Sequence, residues 1–144
     1  MNTIELLGEE EIFRSLVQRE ITEFEDNKIE VIGDGAFNGC DALTSVSFPN
    51  VTSIESGVFA FCDALTSVSL PKVTSFKSST LMGCTALRTL YIGTELDTVC
   101  TLDNVFGIPN NVTEIYVPEA LVDSYKTANN WSYFADKIKA YTGV

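Results

Sequence analysis

The sequence predicts an α/β repeat solenoid of about five coils with a helical cap at each end, and three observations carry that prediction. Cys40, Cys62 and Cys84 recur at intervals of 22 residues, and the same offset relates Leu43, Leu65 and Leu87, then Val46, Val68 and Leu90, then Phe48, Leu70 and Ile92. Within each unit the apolar spacing switches from two to three, as a strand followed by a helical turn requires. Both ends of the chain leave the period and become amphipathic, which suits lids over the apolar ends of a stack.

The elements follow in chain order. Residues 1–20 are expected to form the first cap: in EEEIFRSLVQRE, from Glu9 to Glu20, Ile12, Phe13, Leu16 and Val17 stand at helical spacing, with three Glu in the first turn where the helix dipole favours them. Residues 21–118 are expected to form the repeats. The period extends back into REITEFEDNKIEVI, placing Ile21, Phe24, Ile29 and Ile32 on apolar positions, with Asp26 the one misfit. One full unit reads SIESGVFAFCDALTSVSLPKVT, from Ser53 to Thr74.

Val46 and Phe48, two apart, mark a strand whose other face carries Ser45 and Ser47, and Pro49 or Pro71 ends it where a missing N–H does least harm. The V-T-S-I segment reads as a second short extended piece. Phe59, Cys62 and Leu65, three apart, read as a helical return with all three facing inward. An offset of 25 carries Leu90 and Ile92 onto Ile115 and Val117, so the fourth unit holds three extra residues and 93–111 is irregular. Residues 119–144 are expected to be the second cap. Pro118 opens it, and Leu121, Val122 and Tyr125 share one face. Ser132 is expected to cap a second short helix carrying Phe134, Ile138 and Tyr141, with Trp131 sealing the last coil.

Composition narrows the function. With 144 residues, 45% hydrophobic and 20% charged, the chain is one domain able to bury a core. Its net charge of −11 opposes a nucleic-acid partner, because phosphates are repelled. Histidine is absent, which removes the commonest general base and the usual zinc ligand. No apolar run is long enough to span a membrane, and the start MNTIELLGEEE lacks the features of a secretory signal, so the sequence by itself reads as cytoplasmic. The cysteine column reads as buried inert thiols, and Asp41 and Asp63 read as turn residues because Thr85 interrupts their column. No catalytic, cofactor or metal residues are predicted.

The outward strand positions remain. Successive coils present Glu23 and Glu25, Ser45 and Ser47, Ser67 and Ser69, Thr89 and Tyr91, and Glu114 and Tyr116. The last four pairs are the candidate partner-binding face. Tyr91 and Tyr116 could stack on a sugar or anchor a protein loop, while Ser and Thr could equally serve only to keep the face wetted. The front is strongly acidic: residues 1–41 hold eleven acids and three bases.

The units AFNGCDALTSVSFPNVTSI and VFAFCDALTSVSLPKVTSF resemble the BspA-like class of leucine-rich repeats, and the tail from Ile115 is similar to the ending that often follows such arrays in gut bacteria. The resemblance covers about residues 14–141. It implies a curved, right-handed superhelix and, in some members, surface attachment or protein binding, so a cell-surface or secreted location is also open. It brings no catalytic residues. Two departures stand out: Val51 and Val73 occupy the corner where the general motif has Asn or Cys, and Gly93 replaces the proline of the other units.

The expectation is therefore a non-enzymatic scaffold whose strand face binds a protein or glycan, as a monomer or weak homo-oligomer. The alternative is a structural or spacer piece of a surface layer or prophage particle.

Overall fold

The period of 22 residues appears in space as hydrogen bonds between residues that far apart. In the computed structural model, which describes residues 23–25 (as backbone), 28–77 and 79–143, Thr66 and Thr74 donate through their hydroxyls to the carbonyls of Thr44 and Thr52. The first cap expected over residues 1–20 lies outside the described residues.

A six-stranded parallel sheet forms one wall. Its strands in spatial order are β1 (Glu23–Glu25), β3 (Ser45–Ser47), β5 (Ser67–Leu70), β7 (Thr89–Ile92), β9 (Glu114–Pro118) and β10 (Ile138–Tyr141). The register joins Val46 to Val68, Val68 to Leu90 and Leu90 to Ile115, so the three extra residues of the fourth unit are accommodated without slipping a side chain to the wrong face. Two shorter parallel pairs follow the corner: β2 (Val31–Ile32) with β4 (Ser53–Ile54), and β6 (Ser75–Phe76) with β8 (Thr101–Leu102).

The return segment differs from expectation. Phe59, Cys62 and Leu65 do face inward, but through successive turns in which Cys62 N–H bonds to Phe59 O and Leu65 N–H to Cys62 O. Other N–H groups reach across to the next coil, as Phe37 does to Val58 O and Phe59 to Thr80 O, so the return side is also a ladder. A helix would have kept those donors to itself. Gly39, Phe61 and Gly83 hold equivalent left-handed positions, with φ of 71°, 60° and 76°. The Phe61 ring lies where a Cβ on Gly83 would stand.

The core is the stack of equivalent side chains. Phe37, Phe48 and Phe59 are fully buried, with ring centroids 5.6 to 6.3 Å apart. Val51 and Val73 are fully buried, so the corner that carries a polar residue in the general motif is packed with apolar groups here. The cysteines are buried; Cys62 Sγ donates to Phe37 O at 3.1 Å and Cys84 Sγ to Phe59 O at 2.9 Å. Burial pushes the thiols of Cys84 and Cys100 up to about 12. Thr80, where the neighbouring coils place Ala36 and Val58, is completely buried with no hydrogen-bond partner for its hydroxyl.

The tail is only partly helical. A 3-10 turn, Glu119–Leu121, leads into α1 (Val122–Thr127), which buries Tyr125, and Leu121 and Val122 pack against the core as expected. The second helix expected from Ser132 is instead a 3-10 run, Trp131–Lys137, entered through Asn130 at φ 66°, with Ser132 inside it. Ile138 and Tyr141 then lie on strand β10, which pairs Ile138 with Ile115 and so continues the sheet. Strand pairing satisfies backbone groups at the end of the stack that a helix would have left exposed. Trp131 seals the interior, its Nε1–H donating to Cys100 O at 2.6 Å, and packs edge-on against Tyr125.

Candidate binding site on the strand face

Period-two alternation puts every expected face residue on the outward side of the sheet. Ser45, Ser47, Ser67, Ser69, Thr89, Tyr91, Glu114 and Tyr116 are all half-buried and flank fully inward residues such as Val68 and Leu90. They form two columns. One runs through Glu23, Ser45, Ser67, Thr89 and Glu114; the other through Glu25, Ser47, Ser69, Tyr91 and Tyr116 and on to Lys139.

The columns change character toward the tail. Tyr91 and Tyr116 stack with centroids 5.1 Å apart and planes 13° from parallel. Tyr141 meets Tyr91 edge-on at 5.8 Å and 83°. Placing Tyr141 on a strand rather than a helix is what brings it to this face. The Tyr116 hydroxyl donates to Glu114 Oε2 at 2.6 Å, and Lys139 Nζ stands 3.5 Å from the same oxygen. The tyrosine hydrogen bond first and the lysine charge after it hold the Glu114 carboxyl below its ordinary value, and the same hydrogen bond to Glu114 raises the Tyr116 phenol.

Beside Tyr91 lies a groove of about 520 Å³. Pro49, Pro71, Tyr91 and Tyr141 line it, with Ser69, Thr94 and Glu95 as its polar residues. Gly93 explains why it opens here. Its φ of +56° is closed to proline, and its N–H donates to Leu70 O at 2.9 Å, a bond proline could not make. The chain turns there, and Glu95 N–H bonds to Pro71 O, setting Thr94 and Glu95 beside the groove.

Of the expected face, then, the structure gathers Ser69 and Tyr91 at the groove and Glu114 with Tyr116 behind it, while Ser45, Ser67 and Thr89 stay on the plain column. Sequence reasoning missed Tyr141, Lys139, Thr94 and Glu95. The replacement of proline by Gly93 was the available signal for the last two.

Two further surface features stand apart. Phe106 and Tyr133, 80% and 66% exposed, flank a cleft of about 300 Å³ near Ile108, and Phe61 and Met82 are exposed on the return side. Among the described residues, no group of three or more acidic or cysteine side chains is arranged to hold a metal ion, and no helix is long and apolar enough to cross a membrane.

The asparagines in the three N-x-S/T sequences serve the fold. Asn111 Nδ2 donates to Cys84 O and Leu87 O, Asn130 Nδ2 donates to Leu102 O, and Asn50 Oδ1 accepts from Lys72.

Comparison with known proteins agrees with this architecture. The solved structure of a leucine-rich cell surface protein from Faecalibacterium prausnitzii A2-165 is similar over 89% of the chain, with a TM-score of 0.59 and 24% identity. The chain spans 34% of that protein's length. No curated protein sequence matches. A family model described as BspA type leucine rich repeat region matches residues 9–133 in six copies. With that match over most of its length, the chain belongs to the BspA-type leucine-rich repeat family.

Proposed function

We propose that this chain is a non-enzymatic repeat scaffold that binds a protein or glycan partner through the tail end of its strand face. The observation that carries the reading is the gathering of Tyr91, Tyr116 and Tyr141 on the outward side of the sheet beside a groove. Tyrosines in such a cluster offer contact area at small entropic cost, with hydroxyls for specificity. The family supports a scaffold role, and the surface protein with a similar fold supports a cell-surface setting.

The test is retention of the full chain on arrays of purified glycans and extracellular proteins, compared with Tyr91→Ala, Tyr141→Ala and, as a control on the plain column, Thr89→Ala. Loss of binding in the tyrosine variants alone is expected. Binding that survives both tyrosine changes contradicts the reading, as would specific turnover of any substrate by the purified chain.

The uniform seryl stretch through Ser45, Ser47, Ser67 and Ser69 favours a second reading, a spacer without a ligand. Self-association in sedimentation analysis, together with empty arrays, would favour it.

A further inference from the structure

We propose that the groove beside Tyr91 receives the pyranose ring of an uncharged sugar, laid against the face of Tyr91 that Tyr116 leaves open. This rests on the strand-face reading and names its ligand. In-register residues of neighbouring strands stand about 4.8 Å apart, so each side chain of a column meets the next. Tyr116 covers one face of Tyr91. On the other side the next member of the column is Ser69, whose side chain ends one atom past Cβ. The tyrosine stack therefore stops at a step of one ring's depth, and the groove occupies that step. Tyr141, perpendicular to Tyr91, lines the groove as well.

Three rings could fill such a step: a phenyl, a proline or a sugar. The polar groups decide among them. Ser69, Thr94 and the Glu95 carboxylate line the groove, and Glu95 enters no ion pair among the described residues. A phenyl or proline ring would strip water from these groups and return no hydrogen bond, which costs free energy. A pyranose presents an apolar C–H face to the tyrosine and a rim of hydroxyls to the serine, threonine and carboxylate, whose two oxygens can accept from neighbouring hydroxyls. Charge disfavours acidic sugars, because Glu95 lines the groove and would stand beside the incoming group. At about 520 Å³ the groove is within the ~300–1,000 Å³ of ordinary ligand clefts.

The experiment is saturation-transfer NMR and calorimetry on the full chain, with a panel of neutral mono- and oligosaccharides built from hexoses, 6-deoxyhexoses and N-acetylhexosamines, and with a sialylated oligosaccharide for comparison. At least one neutral sugar is expected to bind and the sialylated one to bind more weakly. Tyr91→Ala should weaken binding by about tenfold, the upper end of an aromatic contact. Ser69→Tyr should abolish it, because the chain's own ring then fills the step, and an unchanged melting temperature would show that this variant folds. Glu95→Gln should weaken it by less than Tyr91→Ala, and Tyr133→Ala, at the separate cleft near Ile108, should leave it unchanged.

Absence of binding by every neutral sugar, preference for the sialylated one, or binding untouched by Ser69→Tyr would overturn the proposal. If the sugars fail while a protein ligand binds in a Tyr91-dependent way, the sugar is wrong and the strand-face reading stands. If no ligand depends on Tyr91, both fall.

Discussion

The middle coils and the tail end of the sheet share one backbone architecture yet present opposite surfaces. From Ser45 to Leu70 the register is strict, the outward residues are serines, and the proline corner repeats as Pro49 and Pro71. From Tyr91 onward the outward column carries tyrosines, Gly93 stands where the earlier units have proline, and three residues are inserted before the next strand. Strict repetition gives each coil the same neighbours and hence a uniform wall. Departure from it is what turns Thr94, Glu95 and Tyr141 toward one groove. In this fold the interior tolerates the departure because the ladder Val68, Leu90, Ile115 and Ile138 runs through both regions.

That contrast can be broken from either side. The largest effect is expected in the regular half: Phe59→Ala removes a ring packed against both Phe37 and Phe48 and should cost about 3–5 kcal/mol in urea unfolding. Gly93→Pro would restore the repeat at its point of departure, but it forbids a φ of +56° and deletes the bond to Leu70 O. It should cost about 3 kcal/mol and lower groove binding with it.

Alkali should act through two buried thiols, Cys84 between the two regions and Cys100 in the tail. Cys84 and Cys100 sit at about 12 in the folded chain against an ordinary 9.0. Between those values the unfolded chain gives up protons that the folded chain retains. Stability present below about pH 9 should therefore fall as the pH climbs toward 12. Urea midpoints measured across that range check it, and Cys84→Ala should make the fall shallower.

The smallest effect sharpens the comparison: Thr80→Val replaces an unpartnered buried hydroxyl with the residue that Val58 supplies one coil earlier. It should stabilise the chain by about 1–2 kcal/mol.

Much of this architecture is legible in the amino-acid sequence. The offset of 22 residues specifies which side chains share a ladder, and alternation around Val46, Val68 and Leu90 identifies the outward face, including Tyr91 and Tyr116. Two kinds of feature are hidden. Spacings of three are shared by helices and by successive turns, so Phe59, Cys62 and Leu65 read as helical although their N–H groups bond in turns and across coils. Ile138 and Tyr141, also three apart, read as helical although they lie on β10, because a four-residue strand offers too short an alternation to be recognised. Thr94 and Glu95 follow Gly93, where the lost proline marks a break in the repeat but not which side chains the break brings together.

The chain's five tyrosines allow the most direct test of the claim that the break in the repeat builds the binding groove. NMR of ring-labelled tyrosine in the full chain should show contacts from Tyr91 to both Tyr116 and Tyr141. Adding the neutral sugar panel should shift Tyr91 and Tyr141 while leaving the exposed Tyr133 unmoved. Absence of a contact between Tyr91 and Tyr141, or a response confined to Tyr133, would contradict the account.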